Sequence, residues 1–169
     1  MARPIWLIGM MGSGKTTVAP LVAAALGRDW VDADVVIEDR TGHTIVELFS
    51  ESEARFRKAE VDAIRALAAG DAVVATGGGA VLTEAAEIMS NSGVILWLRA
   101  VIETLRDRLG DDFNRPLLDR GMADLDLMES ERRERYSGLA DAVVDTDDST
   151  PEEVAKKVVE AWVAVSSEV

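Results

Sequence analysis

The chain has 169 residues, 48% of them hydrophobic, which is enough to bury a sizeable core and fits a single domain. Its formal net charge of −13 repels nucleic acid and anionic membrane, so any anionic ligand must be held by locally clustered arginines and lysines. Zero cysteines exclude a disulfide scaffold and a thiolate metal site, and no apolar run approaches the roughly 20 residues that cross a bilayer. The apolar opening from Arg3 to Met11 is too short for a signal-peptide core and runs straight into Ser13-Gly14-Lys15, so Ile5–Ile8 reads as a buried strand. Gly9-Met10-Met11-Gly12-Ser13-Gly14-Lys15-Thr16 follows it, fits G-x-x-x-x-G-K-[ST], and precedes a helical pattern over about residues 15–26. Glycines at these positions let the backbone N–H groups turn inward on phosphates, while the helix start adds unpaired donors and a positive dipole end. Lys15 would neutralise the β- and γ-phosphates and the Thr16 hydroxyl would sit on Mg²⁺. Pro20, inside that helical pattern, predicts a kink.

Short apolar runs then alternate with helical stretches: strands at Trp30–Asp32, Ala72–Ala75, Val94–Leu98 and Ala142–Val144, and helices near 34–41, 53–69, 83–91, 101–109, 124–139 and 151–165. The alternation predicts an α/β fold with five parallel strands in one sheet, joined by helical crossovers. The last helix is the best marked. Thr150 and Glu153 make a capping box around Pro151, and Val154, Val158, Trp162 and Val165 recur on one face. Gly110-Asp111-Asp112-Phe113-Asn114-Arg115-Pro116 is the most irregular tract, and residues 110–120 are a candidate mobile lid or an ordinary surface loop.

Several residues after the phosphate loop could carry chemistry. The second strand ends in Asp32-Ala33-Asp34, and residues two apart on an extended chain point to the same side, at the sheet edge where ligands bind. One carboxylate could hold Mg²⁺ and the other accept a proton from an attacking hydroxyl; otherwise the pair is a strand-end turn with Asp34 capping a helix. Thr76-Gly77-Gly78-Gly79-Ala80 ends the third strand at that edge, where three glycines either let a ligand press on the backbone or form a flexible turn. Arg57 and Glu60 share a helix face, so the acid can orient the guanidinium, although such pairs are usually surface salt bridges. Arg132 and Tyr136 likewise share a face, with Arg133 rotated away, and two arginines from distant helices would suit a carboxylate.

In order along the chain, GMMGSGKT, D-A-D before an acidic helix, F-R-x-x-E, a strand into G-G-G, R-P-L-L, and an Arg four residues before a Tyr resemble the shikimate kinases over nearly the whole length. The resemblance implies the three-layer P-loop NTPase fold of the nucleoside-monophosphate-kinase type, with ATP, Mg²⁺ and shikimate as ligands. It implies that Gly12, Ser13, Gly14, Lys15, Thr16 and Thr17 cradle the phosphates, that Thr16 and Asp32 serve the metal, and that Arg108 stacks on adenine. Shikimate would be bound by Asp34, Arg57, Gly78, Gly79 and Arg132, with Asp34 near the reacting hydroxyl. Arg115, in Arg115-Pro116-Leu117-Leu118, would reach the transferring phosphate. The chain departs from the pattern in a tract, Phe49–Phe56, that is one residue short and lacks a glycine, which predicts a displaced Arg57, and it carries no proline between Arg132 and Tyr136. The expected activity is transfer of the ATP γ-phosphoryl group to the 3-hydroxyl of shikimate by a cytoplasmic monomer. The alternatives are a kinase for another polyol acid such as gluconate, or a nucleotide- or shikimate-sensing protein without turnover.

Overall fold

Alternation along strand β1 (Ile5–Ile8) divides the core into two layers, because every residue of the strand is fully buried and successive side chains point to opposite faces. In the computed structural model, which describes residues 3–110 and 122–167, Ile5 and Leu7 pack toward α1 (Lys15–Leu26) and α8 (Pro151–Ser167). Trp6 and Ile8 pack on the other face, toward α4 (Glu53–Leu67), α5 (Ala85–Ser92), α6 (Ile102–Leu109) and α7 (Met122–Leu139). Helices on both faces of a parallel sheet are the three-layer arrangement that the alternating pattern predicts.

The sheet contains β2 (Trp30–Asp32), β3 (Val73–Ala75), β1, β4 (Val94–Arg99) and β5 (Ala142–Asp145), in that spatial order and all parallel. Central β1 pairs with β3 and β4, while β2 and β5 form the edges. Because the strands are parallel, the C-terminal ends of β1, β2, β3 and β4 all open on one side, where an open sheet of this kind receives ligands.

Helix α1 runs from Lys15 to Leu26 through Pro20. The capping box of α8 forms as the sequence predicts, with the Thr150 N–H donating to Glu153 at 2.7 Å and the Glu153 N–H to Thr150 at 3.2 Å. Two differences matter for the site. Helix α2 (Ala33–Thr41) begins one residue earlier than its pattern, because the Asp32 side chain accepts from the Asp34 N–H at 2.9 Å and is the cap. A further helix, α3 (Ile45–Glu51), fills the stretch before α4, and its Thr44-x-x-Glu47 capping box was a readable signal for it. A 3₁₀ turn, Ala80–Leu82, follows the glycines after β3. Helices α2, α3 and α4 enclose a smaller core of Ile37, Leu48, Phe56 and Ala63 beside the sheet.

Ile64 is fully buried on α4, the helix that also carries Arg57 and Glu60. Ile64→Ala should lower unfolding free energy by about 2–5 kcal/mol with little change in the urea m-value. Leu127→Ala, at a position 56% exposed, should stay within about 0.5 kcal/mol of the parent in the same urea titrations.

Candidate active site

Strand β1 delivers the chain into the loop Gly9–Gly14, and α1 leaves from its far end. Gly9 has φ 146°, and a Cβ there would collide with the Leu98 carbonyl of β4, so a side chain is barred both by conformation and by space. Gly14, the N-cap of α1, has φ 95° and contributes no side-chain cap, and no acidic residue stands in that helix's first turn. The starts of α2, α3, α4 and α8 carry side-chain caps, from Asp32, Thr44, Ser52 and Thr150. The start of α1 thus presents N–H groups and a positive dipole end to the cleft, as a phosphate requires. Buried Lys15 donates to the carbonyls of Gly9 at 2.7 Å and Met10 at 2.9 Å, which holds its ammonium over the loop.

The cleft above this loop has a volume of about 710 Å³ and is lined by the phosphate loop, Asp32, Asp34, Arg57, Gly77–Gly79 and Arg108. Thr16 and Thr17, exposed in the first turn of α1, also line it. The Thr16 hydroxyl donates to Asp32 at 3.2 Å, so a hydroxyl from α1 and a carboxylate from the end of β2 meet at one point. Hard oxygen donors of this kind fit Mg²⁺, which usually takes one or two protein groups and completes its shell with phosphates and water. Among the described residues no group of three acidic or imidazole side chains forms a closed metal cage. Asp32 and Asp34 do face the same cleft, but not by strand alternation: α2 starts at Ala33, so Asp34 enters from the helix's first turn. Asp32, not Asp34, is the helix cap.

The glycine turn after β3 has a different basis from the predicted ligand contact alone. A Cβ on Gly77 would lie 2.7 Å from Glu60, one on Gly78 3.2 Å from Arg132, and one on Gly79 2.7 Å from the Arg57 guanidinium carbon. Each glycine makes room for one charged side chain. None of the three has the positive φ that would demand glycine on conformational grounds. Arg57 is not displaced from the cleft by the short tract before it. Its guanidinium lies over Phe56 at 5.2 Å and Phe49 at 5.8 Å and donates to Glu60 at 2.9 Å.

The Arg57–Glu60 pair is not a surface bridge, since Glu60 is 1% exposed. Burial pushes its carboxyl above the ordinary range, and the nearby charges of Arg57 and then Arg132 offset part of that rise. Arg132 is buried, with Nε and Nη1 lacking a hydrogen-bond partner among the described residues, whereas Arg133 is exposed and paired with Glu129 at 2.8 Å. Arg57 meets two carboxylates, Glu60 and the exposed Glu53 at 3.6 Å, whereas the two buried nitrogens of Arg132 have no partner among the described residues, which suits an anionic ligand on that side.

On the opposite side of the phosphate loop, Arg108 donates to the Gly12 carbonyl at 3.3 Å, the Thr146 hydroxyl at 2.9 Å and the Thr146 carbonyl at 2.7 Å. It joins α6 to the loop after β5 at the cleft rim, away from Arg57. Thr146, fully buried, had no distinguishing signal in the sequence. Arg115 and residues 111–121 lie outside the described residues.

A parallel sheet with a phosphate-cradling loop at the end of its central strand, facing a second anion-receptive wall across one cleft, defines a P-loop small-molecule kinase. A family model described as Shikimate kinase matches residues 11–163. The chain is 42% identical over 165 residues to the shikimate kinase of Moorella thermoacetica, covering 95% of each chain. It is 42% identical over 169 residues to that of Thermodesulfovibrio yellowstonii, covering 98% of each. Among solved structures, shikimate kinase from Acinetobacter baumannii in complex with shikimate matches with a TM-score of 0.91 and 32% identity, covering 100% of this chain and 96% of that one. A gluconokinase from Sinorhizobium meliloti shares the fold with a TM-score of 0.64 at 17% identity, covering 98% of this chain and 94% of that one. The chain belongs to the shikimate kinase family, and its use of ATP follows from that membership.

The raised carboxyl of Glu60 has a consequence for stability. Its folded form holds a proton to higher pH than the unfolded chain, so its contribution is fully present below the ordinary value of 4.5 and is lost as pH rises through the raised one. Glu60→Gln should therefore flatten the fall in unfolding free energy above pH 4.5, as read from urea titrations between pH 4 and 7. An unchanged slope would show that Glu60 is solvated rather than buried.

Proposed function

We propose that this chain transfers the γ-phosphoryl group of ATP to the 3-hydroxyl of shikimate, giving ADP and shikimate 3-phosphate. The observation that carries the reading is the convergence, in one cleft, of the Lys15 phosphate loop, the Asp32–Asp34 pair and the Arg57–Glu60 pair around the glycine turn, with Arg132 buried against Gly78 at the edge of that cleft. The shikimate-bound relative from Acinetobacter baumannii supports the choice of acceptor. The donor's phosphates lie along the loop and the start of α1, and Gly12–Thr17 and Arg108 line the nucleotide side. Arg57 and Arg132 grip the acceptor's carboxylate, where a guanidinium fork gains two parallel hydrogen bonds. Gly78 and Gly79 form the floor beneath the acceptor.

Asp34 accepts the proton of the attacking hydroxyl as its oxygen bonds to the γ-phosphorus, and the bond to the β-phosphate oxygen breaks. Lys15 offsets the charge on the phosphoryl oxygens, a role in which the family resemblance adds Arg115. Thr16 and Asp32 would hold Mg²⁺, which would supply positive charge to the donor's phosphates. Most of the acceleration in such a transfer comes from positioning and charge stabilisation, which this cleft is built to provide. Use of ATP supports a cytoplasmic location, and a monomer is favoured because one chain supplies the phosphate loop, the acidic pair and Arg57 to the same cleft.

A coupled ADP-release assay with shikimate, gluconate and no acceptor tests the reading. Turnover only with shikimate is expected; gluconate-dependent turnover, or none with any acceptor, overturns it. Lys15→Met should reduce kcat by orders of magnitude, and Asp34→Asn should abolish transfer while nucleotide binding, read by titration calorimetry, survives. Arg57→Ala and Arg132→Ala should each raise the shikimate KM far more than the ATP KM, and the double variant should cost less than the product of the two single effects.

A further inference from the structure

Tyr136 is the chain's one tyrosine, and the reaction as described leaves it without a role. Its side chain is 1% exposed, and its ring stacks on Trp97 of β4 at 5.6 Å between centroids. The phenol donates to the Gly78 carbonyl at 2.6 Å and lies 3.7 Å from the Met10 sulfur in the phosphate loop. A buried phenol needs a partner, and this one has found the middle residue of the glycine turn.

Gly78 is itself wedged. A Cβ on it would stand 3.2 Å from Arg132 Nη1, 3.4 Å from the Gly9 carbonyl and 3.6 Å from the Met11 nitrogen. One turn of α7 therefore carries both the guanidinium that rests against Gly78 and, four residues on, the phenol bonded to it. We propose that Tyr136 is a positioning residue: its bond to the Gly78 carbonyl fixes the separation of α7 from the glycine turn, and thereby sets the Arg132 guanidinium against the phosphate loop at the spacing the acceptor's carboxylate and hydroxyl require. This rests on the proposed reaction and adds to it a residue that touches neither substrate. Burial pushes the phenol up to about 12, so the O–H remains a donor throughout the range in which carboxylates are ionised.

A tyrosine that served only to fill the core would change stability, and would change both Michaelis constants alike or neither. Tyr136→Phe keeps the ring on Trp97 and removes one hydrogen bond. The expected result is a shikimate KM raised about fivefold to tenfold, an ATP KM within about twofold of the parent, and cooperative unfolding. In Tyr136→Phe/Arg132→Ala the shikimate KM should be no higher than in Arg132→Ala alone, because the phenol acts through that arginine. An unchanged shikimate KM, an equal rise in both constants, or full additivity with Arg132→Ala overturns the proposal. The single tyrosine permits a second measurement on the unaltered chain. With ¹³Cζ-labelled tyrosine its one resonance should shift when shikimate is added, and a resonance that stays in place overturns the proposal even if the variant fails to fold. Absence of shikimate turnover by the unaltered chain overturns the reaction itself; normal turnover with an unaltered KM in Tyr136→Phe removes only the role of Tyr136.

Discussion

The close approach of β1 to β4 at Gly9 is the constraint on which the cleft depends. Pairing of Ile8 with Trp97 brings the end of β1 alongside β4 just before the chain must turn into the phosphate loop. Only a residue without a side chain passes the Leu98 carbonyl at that point. The Lys15 ammonium then closes the loop by binding the Gly9 and Met10 carbonyls. On the other flank, the Thr76 N–H and hydroxyl both donate to the Leu7 carbonyl, at 3.2 Å and 3.0 Å, so the glycine turn is anchored to the same strand. The phosphate loop and the glycine turn therefore hang from the same strand.

Electrostatics in the cleft run against those of the molecule as a whole. A net charge of −13 would repel two anionic substrates, yet Lys15, Arg57, Arg108 and Arg132 stand within or beside one cleft. A guanidinium as buried as that of Arg132 loses its water and needs compensation, and Glu60 supplies one negative charge shared with Arg57. Exposed Glu53, 3.6 Å from Arg57, adds a solvent-screened charge on the Arg57 side, so the shortfall of negative charge falls at Arg132, whose Nε and Nη1 have no partner among the described residues and stay receptive to a carboxylate.

The strands and the phosphate loop were legible in the sequence because each is set by neighbouring residues, an apolar run or a glycine spacing. The acidic pair was legible for the wrong reason, since Asp34 faces the cleft from the first turn of α2 and not from the strand. What stayed hidden depends on contacts across the fold. The sequence pairs Arg57 with Glu60 at helical spacing, but spacing alone does not tell a half-exposed bridge from one packed beneath Gly77. The triple glycine reads as room for a ligand, whereas its Cβ positions are claimed by Glu60, Arg132 and Arg57 from α4 and α7. Thr146 is invisible in sequence because its value lies in two hydrogen bonds from Arg108, which is 38 residues away. Helix α3 shows the opposite case, in which a local signal, Thr44-x-x-Glu47, was present beside a stretch too short to stand out by periodicity.

The junction before Arg57 shows how that arginine comes to line the cleft whatever the length of the tract Phe49–Phe56. Ser52 ends α3, its N–H donating to the Leu48 carbonyl, and begins α4, its side chain accepting from the Arg55 N–H at 3.0 Å. One residue does the work of both caps, so the two helices abut with no loop between them. The phase of α4 is set further along, where Phe56, Val61 and Ile64 face inward and Glu60 seats under Gly77. Phe49 of α3 then stacks on Phe56 with ring centroids 4.2 Å apart, and the two rings form the apolar surface beside the Arg57 guanidinium. A helix fixed at four inward-facing positions does not slide by one residue to follow a deletion upstream, because a slide of that size rotates every buried side chain by about 100° out of its pocket. The position of Arg57 is thus a property of the face of α4 that meets the core.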